Sequence, residues 1–509
     1  MRALFLRLMG LRTAPQALQS AILGLYAFSG WLYPPLNHLA ILGLWIFLLI
    51  QPNGRTWLFQ HPLSRYVAIF LVLIGILSIR GMFMNPEHVP LQILETIKWL
   101  LIPGFLAVAY GINIRPERTL SLWLLLFLGL MAGLLTHAPI DALLRFDVTF
   151  ERQPKFQFSR AGMVGLASSI TLFGLIILLP RLSMLEKPHR LKAWLLFGVS
   201  SYLAIFMLLA SQSRISWLAL LLIVPSALFM LRRHKAHDSK HAQSRWFWLI
   251  LLILGLMITL GTARNLEGFK ERMGKDWTFI AHQIRGDAQE ADQSASFTLR
   301  SRILKLGILA IEEHPWFGWG NVGTSYIASL TGDTSFKIPD VPEGGERLIW
   351  ITHLHSTYLE IAARYGVLGL SVFGWGLVLW CKALRQRARE NQYPREFLVF
   401  LGGTAGIMMI WGLTEFRAGM EEWRVLFSML SASVFIHDHP GFNKQAGDFS
   451  GSPNIFSAIR QREPQITANT SPERVAIHDH DPAAQRKKRP FQVLRQGRLA
   501  RARKASHPE

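Results

Sequence analysis

The sequence predicts an all-α polytopic membrane protein of about twelve transmembrane helices, with a helical loop domain inserted before the tenth. Three observations carry that prediction. Half of the 509 residues are hydrophobic and 17% are charged, yet the apolar residues fall in blocks of about twenty, the length at which a helix crosses the ~30 Å hydrocarbon core. Alternate connections between the blocks are short and basic. One polar segment, roughly 263–355, is far longer than the others.

Taken in order, the apolar blocks place spans at roughly 16–33, 35–51, 63–83, 91–111, 119–137, 160–180, 193–210, 215–231, 246–262, 356–381, 397–414 and 421–437. The basic N-terminus (Arg2, Arg7, Arg12) lacks small-residue cleavage flanks, so the first block is expected as a retained span rather than a signal peptide. With the N-terminus inside, the inner loops carry Arg55 and Arg65, then Arg115 and Arg118, then Arg181, Lys187, Arg190 and Lys192. The next two carry Arg232, Arg233, Lys235, Lys240 and Arg245, then Lys382, Arg385, Arg387, Arg389 and Arg395. Every inner loop is basic, which sets the orientation.

Four regions follow. Residues 1–262 hold nine spans, 263–355 an outer loop domain, 356–437 three more spans, and 438–509 a tail. The loop has ten Lys/Arg against twelve Asp/Glu and an amphipathic pattern at Leu299, Ile303, Leu306, Ile308, Leu309 and Ile311, enough for a small helical cap. The tail is rich in Pro, Ser, Gln and Arg, contains Arg486-Lys487-Lys488-Arg489 and has no sustained apolar period. It is expected to be disordered in the cytoplasm and to touch anionic lipid.

The formal charge of +21 fits this placement of Lys and Arg and does not call for nucleic acid as a partner. A single cysteine, Cys381, excludes a disulfide framework and a Cys-based metal site.

Basic residues on the outer side need another reason. They are Arg145, Arg152, Lys155 and Arg160 before span six, Arg214 in the turn Ser211-Gln212-Ser213-Arg214, and Arg300 and Arg302 in the loop. A positive charge costs roughly 3 kcal/mol at the centre of a span and less near its end. A guanidinium fork matches phosphate oxygens bidentately, so several Arg at the outer membrane edge suit a lipid-linked pyrophosphate. Snorkelling to phospholipid headgroups is the bland alternative. His355 stands at the same boundary, where a neutral imidazole can take a proton from a sugar hydroxyl or hold that hydroxyl; a structural histidine fits the position too.

Other signals are rejected. Gly318-Trp319-Gly320-Asn321-Val322-Gly323 has the letters of a dinucleotide fingerprint but lacks the strand and βαβ context, so it is expected as a Gly-rich turn. His353-x-His355, His437-Asp438-His439 and His478-Asp479-His480 have no third ligand spaced to complete a metal site. No Walker-type sequence appears, which argues against an ATP-driven pump.

His355-Ser356, nine residues and then Gly366-x-x-Gly369 resembles the signature of the O-antigen ligase family, within the O-antigen ligase and polymerase superfamily. Phe158-Ser159-Arg160-Ala161-Gly162, Ser211-Gln212-Ser213-Arg214, and Arg302-Ile303 leading to Pro315-Trp316-Phe317-Gly318-Trp319-Gly320 agree in order. The resemblance covers roughly 150–415. It implies a GT-C-like, metal-independent, cofactor-free inverting glycosyltransferase of the Gram-negative inner membrane, with both termini cytoplasmic and a periplasmic active site. The donor it implies is a glycan on undecaprenyl pyrophosphate and the acceptor lipid A-core. By the same resemblance His355 is the base or acceptor-orienting group and Arg214 the pyrophosphate ligand. Arg160 is similar to the arginine opening its span, and Arg302, or Arg300 two residues away, to one in the loop. An O-antigen polymerase or a protein O-oligosaccharyltransferase shares the chemistry with another acceptor. A lipid-glycan flippase is the rival of a different class; it predicts charges through the membrane midplane and an internal repeat, neither of which the sequence displays.

Overall fold

The computed structural model describes residues 14–113, 119–137, 143–144, 161–182, 187–211, 213–234, 255, 259, 296–321, 338–340, 347–349, 353–390, 393–415 and 420–435. All lie in one compact unit, Met1–Ser450; a second unit, Gly451–Glu509, and with it the whole expected tail 438–509, lies outside the described residues.

The described residues are helical almost throughout. In order the helices are α1 Ala14–Leu32, α2 Pro34–Ile50, α3 Pro52–Gln60, α4 Ser64–Met84, α5 Val89–Leu100, α6 Phe105–Asn113 and α7 Thr119–His137. They continue as α8 Ala161–Leu182, α9 Lys187–Ala210, α10 Arg214–His234, α11 Ser296–Glu313, α12 Thr357–Arg389, α13 Arg395–Gly412 and α14 Glu421–Val434. Prolines sit at the first turns of α2 and α3, where the missing N–H is not needed. The long loop departs from a purely helical expectation by a small antiparallel hairpin, β1 Ile338–Asp340 paired with β2 Arg347–Ile349.

Helices occupy eleven of the twelve expected spans; the remaining one, 246–262, lies almost wholly outside the described residues. A count of twelve crossings is nevertheless not reached. Among the described residues six helices are long and apolar enough to cross a membrane, or seven if α2 and α3, bent by 94°, form one span. The shortfall has a plain cause in length: α14, at 14 residues, rises only ~21 Å. The expected fourth span, α5 and α6 joined through a 3-10 turn at Ile102–Gly104 that contains Pro103, is one of the six, as Gln92–Asn113.

α1 packs on α2 and α7, α14 on α6, and α8 on α9, α10 and α13, while α11 lies on α12. Aromatic rings fill the junctions: Phe400 of α13 meets Phe127 and Trp123 of α7 edge-on and Phe173 of α8 face-on.

One break positions everything that follows. Inside α12, Gly366 has φ 65° and ψ −166°, a backbone region essentially confined to glycine. The break frees peptide groups on both sides, and the Pro315–Gly320 turn takes them up. Trp319 N–H donates to the Ala363 carbonyl at 2.9 Å and Gly320 N–H to that of Arg364 at 2.8 Å. In return, Val367 N–H donates to Pro315 at 2.8 Å and Leu368 N–H to Trp316 at 3.3 Å. Gly318 also lies at positive φ, 63°, and a Cβ there would overlap the Arg364 carbonyl group. Two glycine-rich stretches far apart in sequence are thus two halves of one backbone interlock.

Candidate active site

The interlock fixes the first turns of α12, and with them the His353–Ser356 segment. Ser356 caps α12, its side chain accepting from the Leu359 N–H. Leu354 is 1% exposed and packs with Ile303, Leu306 and Ala310 on the inner face of α11. That packing brings the opposite end of α11, with Arg300, to the same place. Arg300 Nη2 lies 3.5 Å from Oε1 of Glu415, just beyond the end of α13, and His355 Nδ1 lies 4.0 Å from Oε2 of the same carboxylate. The His353 and His355 rings meet edge-on with centroids 4.3 Å apart.

Two helix N-termini, of α12 and α8, lie at Glu415, and a third, of α10, packs beside α8. Thr357, the first residue of α12, donates its hydroxyl to the Glu415 carbonyl at 2.7 Å. Gly162, at the start of α8, faces the Glu415 carboxylate at 4.0 Å from where a Cβ would sit. One turn on, Gly165 lies against Ser211 and Ser213, the turn that opens α10, so Arg214 stands at the next helix N-terminus. Arg214 is close enough to Arg300 for the two positive charges to repel. A larger residue at 165 would force these two N-termini apart.

Of the residues expected from sequence, the structure gathers Arg214, Arg300 and His355. Arg145, Arg152, Lys155 and Arg160 lie outside the described residues. Arg302 is placed on α11, but its side chain lies outside them. Between the two loop arginines, it is Arg300 that is seen paired with Glu415. Glu415 itself was missed by sequence reasoning, which searched the outer edge for cations because Asp and Glu contribute little to membrane orientation. Its available signal was a carboxylate closing an apolar run, Met408–Leu413. Among the described residues no three His, Cys, Asp or Glu side chains converge as metal ligands.

Below this cluster lies an apolar groove with about 880 Å³ of empty space, partly open to the surroundings. Thr357, Tyr358 and Gly412 line the end next to Glu415; Trp380, Phe435 and Tyr66 line its far reach. From Thr357 to Trp380, α12 advances at most ~35 Å, close to the thickness of a membrane core. A charged head beside an apolar slot is a shape for an amphiphile.

Residues 199–374 match the family model described as O-antigen ligase. Over those residues the chain is similar to the O-antigen ligase family. The match takes in Arg214, Arg300, His355 and Gly366 and stops before Glu415. A comparison with curated proteins gives no significant match. The match supports a likeness to the O-antigen ligase and polymerase superfamily, whose members are glycosyltransferase-like enzymes.

Proposed function

We propose that this protein is a member of the O-antigen ligase family and an O-antigen ligase in the strict sense: a metal-independent inverting glycosyltransferase that moves a glycan from undecaprenyl pyrophosphate to lipid A-core on the periplasmic side of a Gram-negative inner membrane. The observation that carries the reading is the pairing of Arg300 and His355 with Glu415 beside an apolar groove, with Arg214 at a nearby helix N-terminus. The isoprenoid lies in the groove and the pyrophosphate at the two arginines, with Arg160 and the cations at 145, 152 and 155, and Arg302, as further ligands on the same edge.

In the reaction the acceptor hydroxyl attacks the anomeric carbon from the face opposite the pyrophosphate. The bond to the pyrophosphate oxygen breaks, and that oxygen leaves with the electron pair. Two guanidinium groups and the positive ends of α8, α10 and α12 stabilise the developing charge, the part a divalent ion plays elsewhere. His355 takes the hydroxyl proton. Glu415, facing Nδ1, selects the tautomer that leaves Nε2 as the acceptor and holds Arg300 with its other oxygen. Placing both lipids in one cleft supplies orientation.

The test is transfer by purified protein in detergent, with one undecaprenyl-pyrophosphate glycan and three acceptors: lipid A-core, a second lipid-linked glycan and a periplasmic protein. Product on lipid A-core that disappears in His355→Ala is expected. Product on another acceptor replaces the ligase reading with a polymerase or a protein O-oligosaccharyltransferase. Donor moved across vesicles without transfer to any acceptor replaces it with transport.

A further inference from the structure

A buried charge cluster that the proposed chemistry does not use lies one turn behind His355. Glu360, 1% exposed, divides its two carboxylate oxygens. One accepts the Leu354 N–H at 2.6 Å, and the other accepts Arg364 Nε, one turn further along α12, at 2.6 Å. Arg364 is itself 2% exposed and reaches Glu95 of α5 through Nη1 at 3.3 Å; Glu95 is also paired with Lys98. Two carboxylates and two cations therefore balance within the cluster. A single buried carboxylate would gain nothing from burial without its partners, and here its uncommitted oxygen is spent on a peptide N–H.

That N–H belongs to the residue before His355. His355 has φ 52°, the one non-glycine residue among those described with positive φ. Such a conformation persists where the surroundings over-determine it and is a recognised feature of functional sites. Here two constraints meet on Leu354: its side chain is locked against α11, and its N–H is held by Glu360. The carbonyl of Arg364 meanwhile accepts from Gly320, so the charge cluster and the backbone interlock share a residue. Both ends of the left-handed turn are fixed, the second by the Ser356 cap.

We infer that Glu360, held by Arg364 and through it by Glu95, is a positioning residue for His355: it clamps the Leu354 N–H and so maintains the left-handed turn that presents the imidazole beside Glu415. The inference rests on the role proposed for His355. It assigns Glu360 no contact with substrate, so its loss acts on the rate of the chemical step and leaves donor binding alone.

Glu360→Gln is compared with wild type and His355→Ala, as full-length protein in detergent, by two readouts. Hydrogen exchange followed by mass spectrometry on the peptide containing Leu354 is expected to quicken about tenfold or more in Glu360→Gln. Transfer from the undecaprenyl-pyrophosphate glycan to lipid A-core is expected to lose kcat by about tenfold or more with KM for the donor unchanged. Unchanged exchange, or faster exchange with wild-type kcat, overturns the inference, as does a raised KM at constant kcat. If His355→Ala keeps full transfer, the role of His355 fails and the inference falls with it; if His355→Ala is inactive while Glu360→Gln keeps wild-type kcat, the clamp alone fails. Should Glu360→Gln not be recovered as a monodisperse protein, Glu95→Gln loosens the same arm from its more exposed end. About threefold effects in both readouts are then expected, and wild-type exchange overturns the clamp.

Discussion

Gly366→Ala is the sharpest test of the interlock. At φ 65° and ψ −166° a side chain is strained whatever the surrounding space, at ~1–3 kcal/mol for such a conformation. The space is also absent, since a Cβ at 366 would overlap the Trp316 carbonyl group. Relief requires the turn to back away, which threatens the four backbone hydrogen bonds between Pro315–Gly320 and Ala363–Leu368, each contributing roughly 1 kcal/mol net. If half of them are lost, the combined cost is ~3–5 kcal/mol. Gly374, on the same helix with nothing within 4 Å of its added Cβ, is the control, and alanine there should be neutral or stabilise by up to about 1 kcal/mol. The assay is thermal unfolding of both variants in detergent, followed by intrinsic tryptophan fluorescence, with wild type alongside. Gly366→Ala should melt well below wild type while Gly374→Ala does not. Equal melting of the two variants would refute the interlock, because the argument depends on backbone position and not on glycine content.

Arg214→Ala should cut transfer by about 10²–10³, the usual cost of removing one group that stabilises developing negative charge, with the melting temperature close to wild type; full activity would remove the pyrophosphate assignment. Glu415→Gln keeps the size and removes the charge shared by Arg300 and His355, so kcat should fall by at least about tenfold, read in the same transfer assay; an unchanged kcat would leave Glu415 a purely structural residue. Ala405→Trp narrows the groove it lines and should raise KM for the full-length isoprenoid donor more than for a short-chain analogue; equal effects on both would place the lipid elsewhere. Transfer should survive chelation, and complete loss restored by a divalent ion would overturn the metal-free mechanism.

The parts legible in the sequence were those with a period or a charge rule behind them. Apolar blocks of fixed length placed the helices, with ends off by up to eight residues as at Arg389. The outer-edge exception to basic inner loops pointed to Arg300 and His355, which both face Glu415, and to Arg214 at the N-terminus of α10. The Gly318–Gly323 stretch was legible as a turn, but its partner was not. No local pattern says that the break at Gly366 hands its peptide groups to residues some fifty positions earlier. Glu360 and Glu415 were illegible for a related reason. Each owes its meaning to a partner on another helix, Glu95 reached through Arg364 in one case and Arg300 in the other, and a carboxylate inside or at the end of an apolar run is not marked by any orientation rule. The number of membrane crossings is reached only in part among the described residues: hydropathy counts apolar blocks, whereas a short helix such as α14 or a bent pair such as α2 and α3 need not cross by itself.

The electrostatics of the cluster argue for an anion more strongly than any one residue does. Arg214 occupies a helix N-terminus, where the macrodipole disfavours a cation and favours an anion. It also stands within reach of a second like charge, Arg300, while the N-termini of α8 and α12 lie beside the carboxylate that offsets them. For a protein concerned only with stability, Arg214 at a helix N-terminus and near a second cation is a cost, whereas Glu415 beside the N-termini of α8 and α12 is favourable. For a site that receives a pyrophosphate the arginine cost changes sign: two forks and the neighbouring helix ends act on the same pair of phosphates, and Glu415 holds Arg300 in place. Salt dependence follows from the same sum. Raising ionic strength screens the exposed Arg214 more than it screens Arg300 held against Glu415, so KM for the donor should climb with salt in wild type and lose much of that slope in Arg214→Ala. A salt slope that survives the substitution would mean that the donor's charge is read somewhere other than at the head of α10.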